Sequence, residues 1–64
     1  MKPSDLSADI ELMGWSQAQF ADKIGVHPNT VSKWTTGKTE IPGPVSAFMT
    51  LATTLKRMLL NLTT

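Results

Sequence analysis

Glycine recurs at positions 14, 25 and 37, each time just after a stretch whose apolar residues stand three and four apart. That spacing is the α-helical period. A glycine just past it is the usual way to end a helix, because it takes up the left-handed conformation that other residues resist. The chain is therefore divided into short helices until its last third, where neither glycine nor proline occurs from Val45 onward. It has 64 residues, one histidine and no cysteine, so no disulfide can brace it and no zinc site can be built. A chain of this size buries only about 60% of the surface its unfolded form exposes. Compact helix packing, or a partner subunit, has to supply the rest.

The hydrophobic share of 41% against 17% charged residues fits a folded chain. Six Lys and Arg face five Asp and Glu, for a net charge of +1. Bulk charge does not announce a nucleic-acid binder, and the placement of the lysines has to decide. No basic, apolar and small-residue leader opens the sequence, and threonines, Lys56 and Arg57 interrupt the apolar-rich segment near the C-terminus. The expectation is a cytoplasmic protein with no membrane partner.

Leu6, Ile10 and Met13 predict a first helix with Ser4 as N-cap and Gly14 past its end. Ser16 and Gln19 form a capping box for the second, and Trp15 and Phe20 stand at the two positions of a hydrophobic staple. Its inward face is Phe20, Ala21 and Ile24. In GVHPNTVSKWTTGK, His27 as N-cap puts Pro28 at the first helical position, where a missing N–H is harmless and the fixed φ is already helical. Val26 and Val31 repeat the staple, and Gly37 closes a third helix of about nine residues. KTEIPGP is loop, and a last helix is predicted with Gly43 as N-cap and Pro44 as its first residue, reaching Leu62.

On a helical wheel the third helix has Val31 and Trp34 on one side and Asn29, Ser32, Lys33 and Thr36 on the other. Asn can pair with adenine N6 and N7, Lys can reach guanine O6 and N7, and Ser or Thr can contact bases or phosphates. A solvated face is the ordinary explanation of such a polar side. The preceding helix weighs against it, because Ala21, Gly25, Val31 and Trp34 supply the tight contact, the turn and the anchors that a helix-turn-helix needs.

QAQFADKIGVHPNTVSKWTTGK resembles the helix-turn-helix of the Cro/phage-repressor (XRE-type) DNA-binding proteins, down to its T-V-S-x-W-x-x-G-K ending. The likeness runs from about Leu6 to Leu55. It implies an all-α, compact four- to five-helix bundle of the lambda-repressor-like type, with helix two over the DNA backbone and helix three in the major groove. By matching positions, Gln17 touches phosphate and Pro28, Asn29, Ser32 and Lys33 meet base edges. Thr36, Lys38 and Thr39 contact backbone just after the recognition helix, and His27 is an N-cap or faces phosphate. Glu40 departs from the family, standing where relatives are commonly basic.

No other chemistry has comparable support. His27 has no second ligand or carboxylate cluster at a useful spacing, no serine has the setting of an activated nucleophile, and no glycine-rich phosphate loop occurs. The expectation is a non-enzyme without cofactor, metal or evident small-molecule ligand. Trp15 and Trp34 read as packing residues. In the last helix Val45, Phe48, Ala52, Leu55, Leu59 and Leu62 form a heptad seam, while Met49, Leu51, Met58 and Leu60 lie outside it. A helix apolar on more than one side marks an interaction surface, and Met58, Leu59 and Leu62 are the expected dimer contacts.

The sequence thus predicts one domain over residues 1–64, with 44–62 as a C-terminal helix contributing to dimerisation. It would bind double-stranded DNA as a homodimer at an inverted-repeat operator, acting as a repressor for want of a second domain to sense a ligand. The competing reading is a protein-interaction module or antitoxin on the same fold, with DNA binding absent or dependent on a partner.

Overall fold

The computed structural model describes residues 1–63; residue 64, the last of the expected domain, lies outside it. Four helices follow one another without a strand among the described residues: α1 (Pro3–Leu12), α2 (Gln17–Ile24), α3 (Pro28–Thr35) and α4 (Gly43–Thr63). This is the all-α class, with the lower of the two helix numbers expected.

The first three helices stop in the same way. Gly14, Gly25 and Gly37 all have φ near +77°, at 78°, 76° and 78°. Each donates its N–H to the carbonyl three residues back, and the next residue reaches five back: Trp15 to Ile10 at 3.2 Å, Val26 to Ala21 at 2.9 Å, Lys38 to Lys33 at 2.9 Å. These are Schellman closures, in which carbonyls left open by the helix end find donors.

The starts differ in how far the sequence disclosed them. Ser16 accepts from the Gln19 N–H at 3.1 Å while the Gln19 side chain accepts from the Ser16 N–H at 2.8 Å, so the capping box is reciprocal. The Trp15 and Phe20 rings stack at 6.1 Å with 16° between their planes, which is the staple in place. Two starts need correction. Lys2, not Ser4, caps α1: Pro3 is the first helical residue and the Asp5 carboxylate accepts the Lys2 N–H at 3.2 Å. The proline rule that places Pro28 applies to Pro3 as well. In α4 the Pro42 carbonyl accepts from Val45 and Ser46, so Gly43 lies inside the helix rather than capping it.

Leu6, Ile10, Phe20, Ala21, Val31, Trp34 and Met49 form the buried core, with Met13, Trp15, Ile24, Val26, Ile41 and Val45 packed around it. Packing is uneven. α1 lies against both α3 and α4, and α2 lies against α3. α4 therefore joins the body chiefly through α1. Its inward face is Val45, Met49, Ala52 and Thr53, so the structure divides the sequence seam: Val45 and Ala52 turn inward beside the fully buried Met49, whereas Phe48, Leu55, Leu59 and Leu62 face outward. A buried threonine is tolerable because its hydroxyl donates to the Met49 carbonyl at 2.8 Å, leaving no unpaired polar atom. Beyond Thr53 no side chain of α4 is fully buried among the described residues. The molecule is correspondingly long, 38 × 20 × 17 Å.

Candidate nucleic-acid interface

α2 and α3 are joined by three residues, Gly25 to His27. The Schellman closure at Gly25 turns the chain, and the His27 backbone, extended at φ −70° and ψ 143°, feeds it into Pro28. His27 Nδ1 then accepts the Asn29 N–H at 3.1 Å. As an acceptor, Nδ1 carries no proton, so the neutral ring holds its hydrogen on Nε2. The exposed His27 ring thus both caps α3 and presents an N–H donor to solvent.

Val31 and Trp34 are buried and hold α3 to the body from behind. Asn29, Ser32, Lys33 and Thr36 are all exposed on the other side, and Pro28 is exposed at the tip. The structure therefore brings the four base-reading candidates onto one surface. Lys38 and Thr39 follow directly, both exposed. Their N–H groups both go to the Lys33 carbonyl, at 2.9 and 3.3 Å. Lys33 thereby ties down the loop with its carbonyl while its ammonium remains available outside. With these backbone donors engaged, Lys38 and Thr39 can donate to a ligand only through their side chains.

Thr36, like the adjacent Thr35, turns its hydroxyl back onto the Ser32 carbonyl. Its hydroxyl donates back to the Ser32 carbonyl at 2.8 Å, with a second, longer approach to Lys33 at 3.4 Å. An engaged hydroxyl proton cannot also be given to a phosphate oxygen. A hydrogen bond from Thr36 to DNA backbone would require its hydroxyl proton to leave the Ser32 carbonyl.

At the other end of the motif, the capping box satisfies Gln19 and Ser16 but not the first two N–H groups of α2, those of Gln17 and Ala18. These donors, at the positive end of the helix dipole, are a general means of holding phosphate. Gln17 is exposed there. The sequence named Gln17 as a candidate phosphate contact, and the open Ala18 N–H beside it is a second candidate that the sequence reading did not name. The capping box carried the signal, because it satisfies only the third position and leaves the first two open. Lys23 is less free than its exposure implies, since its Nζ lies over the Trp15 ring at 5.1 Å from the centroid.

No group of three or more His, Cys, Asp or Glu side chains among the described residues could hold a metal, and no helix is long and apolar enough to cross a membrane. A groove of about 390 Å³ between α1 and α4 is lined by Asp5, Asp9, Thr50, Thr54 and Arg57 among others. Its lining is polar and it stands open, unlike the apolar pockets that take small ligands. Met58, Leu59 and Leu62 are exposed at the far end of α4.

Two short helices joined through a left-handed glycine, the second anchored by apolar residues and polar outside, define a helix-turn-helix protein. A family model described as helix-turn-helix matches residues 6–46, well over half of the chain. The chain belongs to that family, the Cro/C1-type (XRE) helix-turn-helix proteins, which are DNA-binding transcription regulators. No curated protein and no solved structure shows significant similarity to it.

Proposed function

We propose that the protein is a dimeric, sequence-specific transcriptional repressor that reads an inverted-repeat operator through α3 in the major groove. The observation that carries this is the two-sidedness of α3, with Val31 and Trp34 buried and Asn29, Ser32 and Lys33 exposed together. In this reading Asn29 and Lys33 take purine edges, Ser32 adjusts to either partner, and Pro28 makes apolar contact beside them. The α2 N-terminus at Gln17 holds one phosphate. The His27 Nε2–H, Lys38 and Thr39 hold the backbone on the other side of the groove. Thr36 joins them by releasing its hydroxyl from Ser32, or serves by shape alone.

A single copy offers few charges to DNA, and Glu40 stands beside the contact loop. Two copies related by a twofold axis would present recognition helices about 34 Å apart, one turn of the duplex. Occupying a promoter in this way blocks it without any further machinery. Selection of bound sites from random duplexes tests the proposal, and a palindromic consensus with half-sites one turn apart is the expected result. Failure to enrich any sequence would instead favour a module that binds protein through the same fold.

A further inference from the structure

The outward side of α4 takes no part in the core or in the DNA-facing surface. Phe48, Leu51, Leu55, Met58 and Leu62 follow one another at steps of three and four, with Leu59 alongside, and they are exposed by 42% to 82% of their surface. This is a heptad line, out of phase with the buried line through Met49 and Thr53. At roughly 150–200 Å² for each fully exposed large side chain, the stripe offers on the order of 600 Å². That is at the top of the ~300–600 Å² that the largest apolar patch of a monomer ordinarily covers, and it approaches the ~800 Å² per partner of a standard stable interface.

We propose that the stripe from Leu51 to Leu62 is covered by the same stripe of a second copy, with the two α4 helices antiparallel, so that Leu51 faces Leu62 and Leu55 faces Met58 across the twofold axis. This deepens the dimeric reading above and rests on it. A second copy fits because the surface is self-complementary. The positions flanking the line are Ala47, Ala52, Thr54, Leu59 and Asn61, none of them charged, and Lys56 and Arg57 lie off it. No like charges meet when the stripe meets itself. The pairing also fits an isologous contact, since each residue named on one helix is answered by the same pair in reverse.

The direction follows from where α4 is supported. Its first half rests on α1, whereas the turns beyond Thr53 lack a fully buried side chain. Antiparallel helices lay each unsupported tip on the partner's supported base. Parallel helices would join tip to tip, with neither held by a body, and would align two helix dipoles side by side.

The chain contains no cysteine, so an introduced thiol is the only one present. Leu51→Cys and Leu62→Cys both alter exposed positions and leave the core intact. Mild oxidation of the two variants mixed in equal amounts should give a disulfide dimer at least tenfold above the background set by Glu11→Cys on α1. Neither variant alone should exceed that background, because antiparallel pairing separates a residue 51 from its own copy by about 16 Å along the axis, eleven residues at ~1.5 Å, beyond a disulfide's reach. Sedimentation of the unmodified chain should give twice the chain mass. Self-linking of each variant, absence of linking in the mixture, or a monomer mass would overturn the pairing. The DNA reading fails separately. A palindromic consensus together with self-linking variants would remove only the helix direction, whereas linked mixtures without any enriched site would remove the DNA function and leave the dimer.

Discussion

Lys33 and Lys38 carry the same charge but stand in different relations to α3. Lys33 lies on its outer face, and Lys38 follows the Gly37 turn with its backbone pinned to the Lys33 carbonyl. Lys33→Ala is expected to cost ~1–3 kcal/mol at the preferred site and flatten base preference at one position, whereas Lys38→Ala weakens all sequences nearly equally. Affinities on a panel of single-base operator variants separate the two patterns, and an unchanged Lys33→Ala profile would sink the base-reading assignment. His27 is a second residue with two duties. His27→Ala removes the acceptor for the Asn29 N–H and should destabilise the fold by about 0.5–2 kcal/mol, and His27→Asn should restore most of that loss in chemical denaturation. If Asn restores stability but not DNA affinity, the Nε2–H is acting on DNA. Sequence reading reached His27 through the proline behind it. The hydroxyl of Thr36 stayed hidden, because its engagement with Ser32 depends on a rotamer that no spacing reveals.

Among the elements, α1 to α3 were legible because local chemistry determines them. Glycine, staple and capping box act within a few residues, and the structure moves only the start of α1, where Pro3 does what Pro28 does. α4 was less legible for a physical reason. Two apolar lines run along it, and periodicity alone cannot say which faces the core. Thr53 sharpens the point, since it is buried only because its hydroxyl can turn back to Met49. The phase assigned by the structure has a measurable consequence. Met49→Ala should cost about 2–5 kcal/mol in unfolding free energy, as for other fully buried large side chains. Leu59→Asp, at a site 60% exposed, should leave the monomer fold intact and reduce the sedimenting mass to that of one chain. An unchanged mass would take the distal part of α4 out of the interface.

For the molecule as a whole, the charge is too small for electrostatics to dominate. Each copy brings Lys33 and Lys38 to the proposed contact surface, with helix N–H groups, hydroxyls and amides supplying the remaining contacts. With Lys33 on base edges, a dimer whose two Lys38 side chains neutralise about two phosphates would show a slope near −1.8 for log K against log salt concentration, and Lys38→Ala would remove most of it. A slope near −10 would show that cations elsewhere on the surface take part. In the proposed dimer, affinity would then come largely from joining two half-sites, which would make dimer formation and DNA occupancy one concentration-dependent event.

Trp34, buried behind α3, and Trp15, stacked on Phe20, are the only tryptophans, and the chain has no tyrosine. The protein therefore carries its own optical label. Neither ring belongs to the polar face proposed to read bases, so ultraviolet emission should be nearly the same with and without operator. Loss of the core would expose both rings together and shift that emission to the red. Folding can thus be followed by light while the DNA stays silent, and a large emission change on adding operator would place an indole in contact with a base.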